Sequence, residues 1–328
     1  MTLEDMFKVK ELTDSINKLP IQPGLIGSMG LFAEKGVRTT SVFIEVRNGR
    51  LVLVPDQSRS ADPQSLANSK RDGFPLKTSH LPLGGVILPD EIQDVRGFGG
   101  EGTVDNLKAQ AQVINDKLSD LKASIDATVE WHRVGAIRGQ ILDADGSVIH
   151  DLFDAFGVAK KSINTNLKSA ATDVRKVCLD AKRHAEKRLG GVVVTGFRAV
   201  CGADFFDALT NHEQVKAAFA NWQAAQDRLS GDMRSGFTYG GIEFVEYNLQ
   251  VGGKEFIPAN IAQVFPVAKG VFSTYFAPAN YNEAVNTIGL PYYAKSEPRK
   301  MGKGWDLEAQ SNPLALCHFP EALVELKL

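Results

Sequence analysis

Seven apolar residues, Leu107, Ala111, Ile114, Leu118, Leu121, Ile125 and Val129, recur at spacings of 4, 3, 4, 3, 4 and 4. That period puts them on one stripe of an α-helix. Thr103 can cap the start, and Asp105 sits favourably near the positive helix end. The pattern predicts a helix over 103–132, about thirty residues and roughly 45 Å long. Such a rod exceeds the usual domain helix and suits a structural spine. A coiled coil is the rival, but the repeat lasts only about three heptads. A chain of 328 residues has room for two compact bodies, or one with large excursions.

Residues 1–38 carry helical bits such as Val9 to Asn17, interrupted by Pro20, Pro23, Gly24, Gly27 and Gly30. They have little to bury among themselves, so they read as an arm lying on something else. Thr40–Arg47 and Arg50–Val54 flank Asn48-Gly49, which favours a type I′ turn and predicts a β-hairpin. Residues 56–73 are almost wholly polar, and 76–88 read as an extended return with bends at Pro82 and Pro89. An excursion of this kind between strands is either a surface loop or a long two-stranded loop reaching a neighbouring subunit. A second hairpin is expected over 140–149, turning at Asp145-Gly146, and a second helix over 164–189, ending at Gly190-Gly191. Then come a short strand over 192–197, helices from Ala203 and His212, and strands over 241–249 and 255–257. The class is α+β, without βαβα alternation or internal repeats.

Chemistry is hard to place on this chain. Hydrophobic residues at 43%, charged residues at 23% and a net charge of −2 describe an ordinary soluble protein, not one built wholesale to bind nucleic acid or anionic membrane. The start lacks a signal-peptide pattern, and no apolar run approaches a membrane span. Cys178, Cys201 and Cys317 are widely spaced, which favours buried thiols over a disulfide framework. Gly97-Phe-Gly-Gly-Glu-Gly102 formally matches G-x-G-x-x-G, but no buried strand precedes it, so these glycines read as a hinge. His212-Glu213 opens a zinc motif that Lys216 breaks, and Asp143-Ala-Asp-Gly146 lacks the remaining ligands of a calcium loop. Ser147, His150 and Asp151 are close in sequence without a nucleophile elbow. No catalytic residue, cofactor site or metal site is expected. Helix 164–189 is different: between Lys160 and Arg188 stand Lys/Arg at 160, 161, 168, 175, 176, 182, 183, 187 and 188 against acids at 173, 180 and 186. It reads as a solvated face, as a partner for acids on a neighbour, or as a contact for DNA phosphates.

Several stretches have no chemical reason to look as they do. Phe272-Ser-Thr-Tyr-Phe-Ala-Pro-Ala-Asn280, Tyr281-Asn-Glu-Ala-Val-Asn-Thr-Ile-Gly289 and Gln310-Ser-Asn-Pro-Leu314 closely resemble the tail of the lambda-type major capsid protein E family of tailed bacteriophages. Leu12 to Pro20 and Gly30-Leu-Phe32 resemble its arm. Asn48 to Pro55, His80 to Leu83 and Glu91 to Gly99 resemble its extended loop and the lead-in to its spine. Cys201 to Leu209 with Asn211 to Val215 resembles its axial domain. Each motif alone is weak, but their order and spacing together are specific.

The resemblance implies a Hong Kong 97-type capsid fold divided as follows: 1–38 N-terminal arm, 39–96 extended β-hairpin loop, 97–189 peripheral domain with spine helix 103–132, 190–305 axial domain, and 306–328 returning to the peripheral domain. It implies a non-enzymatic major capsid protein that assembles as pentamers and hexamers into an icosahedral shell enclosing phage DNA. Implied partners are other copies of the chain, a scaffolding protein, a portal, a decoration or cement protein, and double-stranded DNA held by loose containment, without a membrane. Assembly is expected in the host bacterial cytoplasm. Gly84, Gly85, Gly97, Gly99, Gly100 and Gly102 are candidate hinges, and Asn48, Gly49, Arg59, Lys70 and Arg71 a candidate inter-subunit loop. Because the arm motif starts near Leu12, the scaffold is expected as a separate protein or fused to a neighbouring gene product. The fold also forms non-viral encapsulin shells, but the tail motifs favour the phage pattern. Two other classes stay open at this point: a nucleic-acid-associated protein using helix 164–189, and an enzyme using Gly97–Gly102.

Overall fold

The computed structural model describes residues 8–20, 24–47, 71–93, 103–218 and 236–328. They form two compact units, one drawn from Met1–Val42, Lys77–Arg133 and Ser273–Leu316, the other from Phe43–Leu76, Val134–Phe272 and Cys317–Leu328.

The first unit is built on the spine. Helix α4 (Thr103–Arg138) runs 36 residues, about 54 Å at the α-helical rise. Ile114, Leu118, Leu121, Ile125 and Val129 of the expected stripe are all buried. Against them pack Leu12 and Ile16 of α1 (Val9–Lys18), together with Ile87, Leu307, Ala309 and Ala294. These last four come from a three-stranded antiparallel sheet ordered β15 (Tyr293–Pro298), β16 (Trp305–Ser311), β4 (Leu81–Ile87). Burying this many aliphatic side chains, at roughly 1.5–3 kcal/mol each, accounts for the unit's cohesion. Short helices α2 (Leu25–Ser28) and α3 (Pro89–Gln93) and a second sheet, β1 (Phe32–Gly36), β14 (Phe272–Phe276) and β17 (Pro313–Cys317), complete it.

The second unit is a six-stranded mixed sheet in the order β7 (Lys161–Asn164), β18 (Val324–Lys327), β13 (Ile261–Val267), β8 (Gly196–Cys201), β10 (Ile242–Glu246), β9 (Phe237–Tyr239). Helix α6 (Val174–Arg188) lies on it through Val174, Cys178, Ala181 and Ala185, a spacing of 4, 3 and 4. Asp173 caps α6 by accepting from the Lys176 amide. A hairpin, β5 (Gln140–Leu142) and β6 (Val148–Asp151), leads into α5 (Leu152–Phe156), and a second one pairs β11 (Gln250–Val251) with β12 (Lys254–Glu255).

The structure departs from the sequence expectations at several places. The spine continues six residues past 132 because Val134, Ala136 and Ile137 are buried in turn. It stops at Gly139, whose φ of +81° and close contact with the Phe153 ring exclude a side chain. Residues 164–173, expected as helix, hold the end of β7 and turns: Thr165 bonds Lys327 O through both its amide and its hydroxyl, and Asn166 takes a φ of 49°. Helix α7 (Ala203–Asn211) and a further helical stretch at 213–218 lie between β8 and β10, which pair in parallel. That parallel pairing requires a crossover, which a single βαβ unit supplies within an α+β chain that does not alternate βαβα. Pro82 does not bend the chain: it sits in β4 opposite Gln310. The terminal segment divides, with 306–316 in the first unit and 317–328 in the second, where β18 pairs with β13 and β7. The alternation of apolar Val324 and Leu326 with the ion-paired Glu325 suits that interior position.

Candidate functional site

The first candidate surface is the flank of the spine beside its apolar stripe. Lys122, Asp126 and Glu130 each follow a stripe residue by one position, and Arg133 continues the row. Helical geometry stacks them on one line. Lys122 is 1% exposed and donates to Ile16 O at 3.0 Å and Leu19 O at 2.7 Å, with its ammonium 4.5 Å from the Tyr292 ring centre. Those carbonyls end α1, where the helix dipole is negative. Burial lowers the Lys122 pKa, and the Asp126 charge works against that. Asp126 accepts from the Tyr292 hydroxyl, whose pKa is pushed far up, first by burial and then by this carboxylate. Glu130 accepts from the amides of Ile26 (2.7 Å) and Gly27 (3.0 Å), at the positive end of α2. A Cβ on Gly24 would lie 2.3 Å from its carboxyl carbon. Arg133 reaches Glu34 at 2.7 Å and Thr274 Oγ1 at 3.2 Å. Sequence reading treated the spine as one apolar stripe. The signal for this row was charge at helical spacing directly beside the stripe.

A second surface is apolar and exposed. Val285, Ile288 and Leu290 are 64%, 56% and 42% exposed in the 281–290 segment of the first unit. The segment is fixed from behind. Gly289 donates to Val37 O at 2.8 Å, and a Cβ there would fall 2.0 Å from Phe276 O. In the second unit Phe43, 63% exposed, lies across Gly73.

Of the expected inter-subunit loop, Asn48, Gly49, Arg59 and Lys70 lie outside the described residues, as does the turn they would form. What is present is its base, β2 (Ser41–Arg47) paired with β3 (Arg71–Lys77), which begins at Arg71. Of the expected hinges, Gly97, Gly99, Gly100 and Gly102 also lie outside the described residues. Gly84 and Gly85 sit inside β4, opposite Glu308 and Leu307, and neither takes a positive φ. A Cβ on Gly85 would meet the Leu121 side chain at 3.6 Å, an ordinary contact with the spine.

The basic helix divides by role. Lys160 pairs with Glu325 at 2.6 Å, and Lys182 reaches Gly240 O at 3.4 Å. Arg175, Lys176, Arg183, Lys187 and Arg188 are exposed, and no ion pair forms at them among the described residues. Arg175 and Lys182 also line a cavity of about 480 Å³ with Leu179, Tyr239, Gly240 and Gly241. Glu325 is a buried anion of this unit. Burial works to raise its pKa, and the Lys160 and Lys327 ammoniums outweigh that and hold it below the usual range.

The rejected chemical motifs have structural occupations. His212 accepts from the Gln214 amide and bonds Ser169 O, and Asp151 caps α5 by accepting from Phe153 and Asp154. Asp145 accepts from Ser147 within the hairpin turn, which Lys254 closes from outside through Asp145 O. Cys178, Cys201 and Cys317 are buried and unpaired; burial pushes Cys178 and Cys317 up to about 12, and Cys201 well above its usual value. Among the described residues, no three His, Cys, Asp or Glu side chains are grouped to hold a metal, and no helix is long and apolar enough to cross a membrane.

Comparison with known proteins agrees with this architecture. A major capsid protein of Salmonella phage Felix O1 (isolate Felix O1-VT1) is 26% identical over 358 residues, covering 98% of this chain and 96% of that one. A major capsid protein of Pseudomonas phage KPP10 is 25% identical over 349 residues, covering 99% and 98%. Among solved structures, one described as a prophage capsid protein from E. coli CFT073 superposes with a TM-score of 0.58 at 13% identity, covering 98% of each chain. Phage capsid proteins of this kind share the Hong Kong 97-type fold, which the present chain adopts. Residues 8–328 match the family described as phage major capsid protein E, and the chain belongs to that family.

Proposed function

We propose that this chain is the major head protein of a tailed phage, a virion component that assembles in many copies into the shell enclosing the DNA. The observation that carries this is the family match over 8–328, which takes in both units. The surfaces fit the role: an exposed apolar segment held from behind, and the paired strands β2 and β3. Many modest contacts per subunit close a shell through symmetry and multivalency, so no single strong site is needed. Pentamers and hexamers of an icosahedral lattice would be the capsomers. The expected partners are a scaffolding protein, a portal, a decoration protein and loosely contained double-stranded DNA, with assembly in the host cytoplasm. The protein's work is structural and needs no catalysis. Gly97 to Gly102 remain the proposed pivots between precursor and mature shells. A Gly→Pro series there that still allowed normal expansion would remove them.

Electron microscopy of the protein, expressed alone and with its neighbouring gene products, tests the whole reading. Closed shells, tubes or five- and six-membered rings are expected. A monodisperse monomer under every condition would overturn it. The exposed cations of α6 support one other reading, contact with DNA phosphates, for which the subunit's DNA affinity would fall steeply with salt.

A further inference from the structure

Two cations of α6 do more than face solvent. Arg175 and Lys182 stand two helical turns apart on one line, with Leu179 between them, and that line forms a wall of the cavity of about 480 Å³. The turn between β9 and β10 forms the opposite wall. Tyr239 pairs with Ile242, which leaves a two-residue loop. Gly240 and Gly241 take φ values of 59° and 78°, both positive as a type I′ turn requires. Asn-Gly would satisfy such a turn by itself. Here a Cβ on Gly240 would lie 2.5 Å from Cys178 Cβ, and one on Gly241 2.5 Å from the Lys182 ammonium. Glycine at both positions is what lets the Lys182 ammonium rest beside the turn.

The cavity gathers positive charge without a counter-charge. Lys182 makes one long bond, to Gly240 O at 3.4 Å, and lies 5.9 Å from the Phe197 ring centre. Arg175 is exposed, and among the described residues no ion pair forms at either cation. The neighbouring carboxylates are engaged elsewhere: Asp173 caps α6 through the Lys176 amide, and Glu243, on the wall of an adjoining cavity, pairs with Arg198 at 2.6 Å. Burial raises the Tyr239 pKa and the Arg175 charge works against that, so the phenol keeps its proton beside the guanidinium. Two free cations set against an aromatic ring, in a space of small-molecule size, suit an anion that carries an organic body.

We propose that this cavity is a phosphate-ester site, in which Arg175 and Lys182 hold the phosphate while Tyr239 and Leu179 take the attached sugar or base. Guanidinium and ammonium donors make charge-assisted bonds to phosphate oxygens, and a base can stack on a tyrosine ring. A free nucleotide and a nucleotide within a nucleic-acid strand present the same chemistry. The site differs from a diffuse basic face, which would draw equally on Arg183, Lys187 and Arg188. It does not depend on the shell reading, because it belongs to the single subunit.

Isothermal titration calorimetry on unassembled full-length subunits tests it, with deoxyadenosine monophosphate, deoxyadenosine and a short single-stranded oligonucleotide as probes. The monophosphate should bind at one site per chain, at least about tenfold more tightly than deoxyadenosine. Arg175→Gln and Lys182→Met should each weaken it by about tenfold or more, while Arg183→Gln leaves it unchanged. Monophosphate binding with that dependence identifies a free nucleotide as a sufficient ligand. Binding of the oligonucleotide alone, with the same dependence on Arg175 and Lys182, identifies a strand as the source of the phosphate. Absence of binding by all three probes overturns the site. Equal affinity for monophosphate and deoxyadenosine overturns the phosphate contact. An equal loss in Arg183→Gln and Arg175→Gln overturns it too, in favour of bulk charge. Arg175 is exposed, so Arg175→Gln carries the test if Lys182→Met does not fold.

Discussion

Helix α4 and helix α6 both carry rows of charge, and they use it in opposite ways. On α4, Lys122, Asp126 and Glu130 are 1%, 7% and 4% exposed, and the row meets helix ends, a tyrosine hydroxyl or an opposite charge. On α6, Arg175, Lys176, Arg183, Lys187 and Arg188 face outward, with no ion pair among the described residues. The first arrangement fixes one segment in one place. The second leaves a positive face whose partner, if any, comes from outside the subunit. Burial and pairing, not the number of charges, separate an internal clamp from an external surface.

The largest effect should come from the apolar stripe beside the α4 row. Leu118 is fully buried, so Leu118→Ala should cost about 2–5 kcal/mol in denaturant unfolding. A cost below about 1 kcal/mol would mean the spine is not the axis of that core. Next is Gly24→Ala. Its methyl would displace the Glu130 carboxylate from the α2 amides, at a cost of about 1–3 kcal/mol for the hydrogen bonds lost. If Gly24→Ala is neutral, Glu130 is not the clamp its position implies.

Glu325 sharpens the comparison from the second unit, being a buried charge whose lysine partners lower its pKa. Its folded pKa lies below the ordinary value of 4.5. It therefore contributes stability above its unfolded pKa, and that contribution is lost as pH falls through the folded one. Thermal melts from about pH 7 to about pH 3 should show the parent losing stability below the ordinary carboxyl range. Glu325→Gln should start less stable at neutral pH, with Lys160 and Lys327 unpaired, and lose less on acidification. Parallel acid profiles for the two proteins would remove Glu325 from this role.

Local pattern made the α4 stripe legible, because five of its seven residues recur at helical spacing and are buried where expected. The tail motifs made the family legible without any chemistry to explain them. The α4 clamp was not legible, since a buried lysine looks like an exposed one until α1 is laid over it. The start of α6 was misread for a related reason: Asn164 to Thr172 has helix-compatible composition, but Thr165 is claimed by the backbone of β18, 162 residues away. The fate of 317–328 likewise depended on pairing with β7 and β13, which no local pattern encodes. The six proposed hinges and the loop residues followed from the family resemblance and a glycine-rich or polar local sequence, and only Gly84, Gly85 and Arg71 fall among the described residues.

The smallest effect on stability should come from α6 itself. Among the described residues no ion pair forms at Arg183 or Lys187, so the double variant Arg183→Glu, Lys187→Glu should change unfolding free energy by no more than about 0.5 kcal/mol per site. If the face is only solvated, shell assembly will be unchanged as well. If it meets acids on a neighbouring copy, assembly of the double variant should fail at salt concentrations where the parent succeeds. The parent itself should then assemble less readily as salt screens the contact. DNA contact makes a third pattern: normal assembly of empty shells, with weaker and less salt-dependent DNA binding by the variant subunit. A variant that unfolds in the manner of Leu118→Ala would show that α6 resembles α4 after all, and the contrast between the two helices would collapse.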